Sequence, residues 1–169
     1  MSAFKNDVVT EFPDISKIEF QRIHKSYLKV ILFNTFLVFA LLFVGLFFLI
    51  DRKLNEEIPE YIVLIYILFV ALFGLVVLYK IFGFSRRKYA LRDKDISYKS
   101  GVIIKTMTTV PFSRIQHVEI DEGPISRYFG LASLSVYTAG DSSDDLDISG
   151  IKKEEALRIK EFISSKINE

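Results

Sequence analysis

The sequence predicts a two-part protein. A hairpin of two membrane-spanning α-helices precedes a mainly-β domain, a partly open antiparallel barrel capped by a C-terminal α-helix. Three observations predict it: two long uncharged apolar runs, a change to alternating apolar and polar residues beyond position 86, and a final stripe at helical spacing. The 169 residues are 50% hydrophobic and 25% charged, and the mean hydropathy is +0.30. Those figures agree only if grease and charge occupy different regions. With no Cys, the chain has no disulfide, thiolate metal site or cysteine nucleophile. A net charge of +1 gives no basic excess for nucleic acid.

Residues 1–27 form an arm in which Phe4, Val8, Phe12, Ile15, Ile18, Phe20 and Ile23 alternate with charges. Pro13-Asp14 is a turn or helix-start signal, and Ile15–Lys29 reads as a helix entering the first span. Such an arm is expected to pack on the domain, the membrane surface or a neighbouring subunit.

The hairpin is expected over 28–84, with spans at about 28–50 and 61–82. Val30–Ile50 gives 21 uncharged residues, about 31 Å of helix against a hydrocarbon core of about 30 Å. Tyr61–Tyr79 gives another 19. Both runs are apolar on every face, so neither reads as an amphipathic core helix. A charged segment precedes the first run and no small-residue cleavage site follows it, which separates it from a signal peptide. Asn34, Thr35, Gly45 and Gly74 are the only features favouring a channel or transporter; Asn34 is expected to make a helix–helix hydrogen bond or lie at the interface. The ten-residue link Asp51–Glu60 has four acidic and two basic residues, whereas cations crowd the outer flanks, from Lys17 to Lys29 and from Lys80 to Arg92. The positive-inside rule therefore places both termini in the cytoplasm.

The domain is expected over 86–169, with 14 basic and 13 acidic residues. Strands are predicted at 87–92, 96–99, 102–110, 114–121, 133–138 and 146–149, with Pro111 ending the third and a phase slip in the fourth that suggests a bulge. Ile125–Phe129 reads as one helical turn ended by Gly130. Ala156, Ile159, Phe162, Ile163 and Ile167 then fall on one helical stripe, with Glu154 and Glu155 in the first turn and Lys166 near the end, as the helix dipole favours.

Tyr89-Ala90-Leu91, Gly101, Val110-Pro111-Phe112-Ser113-Arg114-Ile115-Gln116, Phe129-Gly130-Leu131, Tyr137-Thr138-Ala139-Gly140 and Ile148-Ser149-Gly150-Ile151 together resemble the bacterial pleckstrin-homology (PH)-like domain of YdbS-like membrane proteins. The resemblance covers Phe4 to Ile167 and implies a PH-like fold, a bacterial source and a place in the plasma membrane. It implies no reaction or ligand. Some such proteins resemble companions of larger multi-span relatives carrying repeated copies of the domain.

No Gly-rich phosphate loop, paired catalytic carboxylates or metal-ligand spacing marks an enzyme, and no cofactor is expected. Asp141–Asp147 imitates a calcium loop, but the sixth and twelfth positions are Leu146 and Lys152 where Gly and Glu are required. His24 and His117 have no nucleophile and orienting partner at a catalytic spacing. Arg86, Arg87 and Lys88 are the expected lipid-contacting residues. In phosphoinositide-binding PH domains, cations surround the loop between the first two strands; here it is Arg92-Asp93-Lys94-Asp95, whose charges cancel. Arg114, Gln116 and His117 are the expected partner edge, since an open barrel offers a strand for pairing. The sequence therefore predicts a plasma-membrane protein displaying a binding or assembly module, with membrane lipids, a second copy or a multi-span PH-domain relative as partners. The alternatives are an anionic-lipid-contacting module or a small oligomeric transporter or channel component.

Overall fold

The computed structural model describes residues 18–51, 60–139 and 145–167. The expected Pro13-Asp14 turn and most of the acidic 141–147 loop lie outside them.

Two helices dominate the N-terminal half: α1 (Tyr27–Asp51) and α2 (Glu60–Arg86). Both are long and apolar enough to cross a bilayer. Most of their large side chains are exposed, Leu41 at 66% and Leu75 at 67% among them, as suits lipid and not a soluble core. Aromatic rings join them: Phe39 meets Phe69 and Phe73 edge-on at centroid distances of 5.5 and 5.0 Å. Asn34 is exposed. Thr35 is buried and donates to the Ile31 carbonyl at 2.8 Å, a local bond that needs no second helix. A side-chain carbon at Gly45 or Gly74 would meet nothing within 4 Å, so neither glycine marks a close helix approach.

Residues 18–26 are not the predicted helix. Gln21–Arg22 form a short strand, β1, and the chain turns through His24 to Ser26 before α1. Pairing with β2 and burial of Ile23 at 3% exposure override the local helical pattern.

The domain holds β2 (Lys88–Leu91), β3 (Asp95–Ser100), β4 (Thr106–Pro111), β5 (Ile115–Asp121), α3 (Pro124–Tyr128), β6 (Leu131–Thr138), β7 (Leu146–Lys152) and α4 (Lys153–Ile167). The strands form two antiparallel sheets, β1-β2-β3-β4 and β5-β6-β7. The expected barrel is thus open: β4 and β5 are joined by a 3-10 turn, Phe112–Arg114, and do not pair. One core spans both sheets, from Tyr89, Ile96 and Val110 to Leu134, Val136 and Ile148. On β6, Leu134 and Val136 point inward while Ser133, Ser135 and Tyr137 alternate with them, as period-two patterning requires. The predicted bulge lies between Ile115 and His117. Ala156, Ile159 and Ile163 of α4 complete the core, with Phe162 packed against its edge.

The third predicted strand begins later than expected. Val102–Lys105 is a loop, because Gly101 at φ +99 lets the Ile104 carbonyl fold back over it. β-Branched propensity gives way there to a tight reversal.

Candidate functional site

Strand alternation sorts every connection to one of two ends. The start of β2 follows α2, so the near end, beside the hairpin, also holds the 101–105 loop, α3 and the start of α4. The far end holds the 92–94 turn, the 112–114 turn, the end of β6 and the start of β7.

The domain is docked on the hairpin at the near end. α2 runs into β2 across a single residue, Arg87. His24 N–H donates to the Gly150 carbonyl at 2.8 Å, and Tyr27 lies directly over Gly150. Gly150 has φ +87, and a methyl group there would overlap the Tyr27 ring. Lys29 Nζ is 5.9 Å from the Phe129 ring centroid, tying α1 to the end of α3.

The predicted lipid-contacting triplet does not stay together. Arg86 ends α2, Arg87 holds its guanidinium 5.9 Å from the Tyr27 ring centroid, and Lys88 opens β2 opposite Lys99. Arg86 and Lys88 line a cavity of about 570 Å³ between the end of α2 and the first sheet, and Arg87 does not. The same cavity takes Arg22, Lys99 and Lys105. Sequence reading missed these three because the fold brings them together: Arg22 faces Lys88 and Lys88 faces Lys99 by strand register, and the reversal at Gly101 returns Lys105 to the same wall.

The predicted partner edge lies at the far end. Arg114 closes the 3-10 turn and its carbonyl accepts from Ala139 N–H at 2.9 Å. Gln116 occupies the bulge. The His117 ring stacks on Tyr137 at 4.3 Å between centroids, with Nε2 3.6 Å from Glu119 Oε1. Glu119 raises the Tyr137 pKa by its negative charge. β5 ends the second sheet, and α4 packs against it.

Polar pairs elsewhere hold the frame. Tyr89 Oη donates to Glu155 Oε1 at 2.5 Å, joining β2 to α4. Burial, reinforced by that carboxylate, pushes the Tyr89 phenol well above its usual range. Arg92 binds Asp95 through two bonds of 2.7 and 2.6 Å, so these two charges of the turn are paired. Asp145 accepts from Thr138 N–H at 2.9 Å, serving the backbone. Among the described residues no cluster of His, Asp and Glu is arranged to hold a metal.

The family model described as Bacterial PH domain matches residues 35–167, from inside α1 to the end of α4. The chain belongs to that family. A relative, the UPF0699 transmembrane protein YdbS of Bacillus subtilis (strain 168), is 32% identical over 77 residues, 46% of this chain. The match spans 46% of that relative, so about half its length is covered. A crystal structure of a DUF1696 family protein with a pleckstrin-homology domain from Shewanella loihica PV-4 is 20% identical, covering 50% of this chain and 73% of that one, with a TM-score of 0.39. This bacterial PH domain protein thus combines two candidate spans with an open two-sheet domain.

Proposed function

We propose that the protein is a two-span plasma-membrane anchor that presents its bacterial PH domain on the cytoplasmic side as an assembly module. The cations flanking the hairpin support the orientation, with both termini inside. The carrying observation is β5: it ends its sheet, with Gln116, His117 and Glu119 exposed, in a domain whose opposite end is docked on the helical hairpin. An unpaired strand edge recruits another strand through main-chain hydrogen bonds. A second copy of the chain, or a multi-span relative carrying the same domain, supplies that strand.

Because the sequence has no Cys, His117→Cys provides a single reporter. Full-length protein purified in a mild detergent is expected to carry a partner by mass measurement and to cross-link through that position. A species of one 19.5 kDa chain, with no co-purifying protein and no cross-link in native membranes, would overturn the assignment.

A further inference from the structure

We propose that the near-end cavity binds the phosphate of an anionic glycerophospholipid, while the neighbouring 101–105 loop enters the lipid beside it. This rests on the reading that sets the domain against the inner leaflet, but not on any strand pairing at β5.

The cavity draws its charge from five structural elements. Arg22 comes from β1, Arg86 from α2, Lys88 and Lys99 from adjacent strands, and Lys105 from the loop. Among the described residues no carboxylate lines it. One cation at the end of α2 would complement the helix dipole; five exceed that need and repel one another until an anion enters. Lys99 Nζ is 3.8 Å from the Phe20 ring centroid, which fixes its ammonium at the wall.

One wall is apolar. Phe82, 61% exposed on α2, and Met107 line the same cavity. A cationic pocket with one greasy wall suits an amphiphile better than a fully hydrated ion.

The loop sets the depth. Val102 packs against Gly83, where a side-chain carbon would be 3.4 Å from Val102 Cγ2. Gly83 precedes Arg86 by three residues, placing this contact about 4.5 Å further toward the bilayer along α2. From there Ile103 and Ile104 project with 85% and 79% exposure. Gly101 makes the projection possible, since any side-chain carbon would collide with the Ile104 carbonyl. Two exposed isoleucines on a constrained loop, level with the apolar end of a span, meet acyl chains rather than water. Tyr128, 86% exposed on α3, adds an aromatic group at the same end of the domain.

The test uses the full chain in nanodiscs, where both lipid faces are accessible and the result is independent of cellular topology. Ile104→Cys carries an environment-sensitive fluorophore, and lipid retained after extraction is counted by native mass spectrometry. Phosphatidylglycerol is expected to be retained over phosphatidylcholine, and Lys99→Glu with Lys105→Glu to reduce that preference roughly tenfold. Lys94→Glu with Lys166→Glu, the same charge change at the far end, should leave it intact. The Ile104 probe should report an apolar environment and be quenched by nitroxides carried on acyl chains. Equal retention of the two lipids, equal loss in both double variants, or a probe in water would overturn the proposal. So would displacement of the lipid by millimolar inorganic phosphate, which would assign the pocket to a soluble anion. A monomer that still retained phosphatidylglycerol would leave this site standing while removing the assembly reading.

Discussion

Tyr27 and Gly150 meet at the point where the hairpin becomes the domain, and the contact depends on the missing side chain. At φ +87, Gly150 occupies backbone space that other residues rarely enter. Gly150→Ala is therefore expected to cost about 1–3 kcal/mol and to lower the melting temperature of the detergent-solubilised chain by several degrees. Tyr89→Phe removes the bond to Glu155 and should cost about 1.5–3 kcal/mol, because the acceptor is a charged group. In alkaline titration followed by ultraviolet difference absorbance, Tyr89 should ionise above the ordinary phenol range. Its folded pKa is raised above the ordinary 10.0, so its contribution to stability is complete below that value and disappears as pH rises beyond it. Asp147 obeys the same sign in acid. Burial lifts its carboxyl above the usual range despite Ser149 and Arg87, which pull it down. The folded state thus prefers the protonated form, and that advantage is lost as pH rises through the folded pKa. Asp147→Asn should raise the stability slightly at neutral pH, by about a few tenths of a kcal/mol because solvent screens the site, and the gain should vanish in acid.

At the scale of elements, α4 shows how closely pattern and packing can agree. Ile163 is fully buried and Leu157 is 43% exposed on the same helix. Ile163→Ala should cost about 2–5 kcal/mol and Leu157→Ala under about 0.5 kcal/mol, measured by denaturant unfolding. The stripe, the bulge in β5 and the turn at Gly130 were legible because each is written in consecutive residues. Val102-Ile103-Ile104 misled for a physical reason: β-branched residues favour strands, but Gly101 reverses the chain just before them. The arm misled in the opposite way. Its spacing fits a helix, yet β2 offers an edge and the core accepts Ile23, and tertiary pairing wins over local propensity.

For the whole molecule, the division into greasy hairpin and mixed domain could be read from charge placement alone. Alkaline carbonate washing is expected to leave the full chain in the membrane pellet, whereas recovery in the supernatant would refute the two spans. The cavity could not be read in this way. Arg86 and Lys88 belong to a visible basic run, but Arg22, Lys99 and Lys105 are separated from it in sequence and become neighbours only through strand register and the 101–105 loop. Neighbouring charges likewise parted: Arg87, between the two, turns to Tyr27 instead.

The seating of Tyr27 on Gly150, with the unbroken passage from α2 through Arg87 into β2, makes the hairpin and domain a lever. A helix of 15 residues such as α4 is about 22 Å long. A tilt of about 10° in the spans, of the kind a thinner bilayer imposes, would sweep the distal tip of the domain through about 4 Å. Changes in bilayer thickness would then be felt by whatever touches β5, with no unfolding and no messenger between.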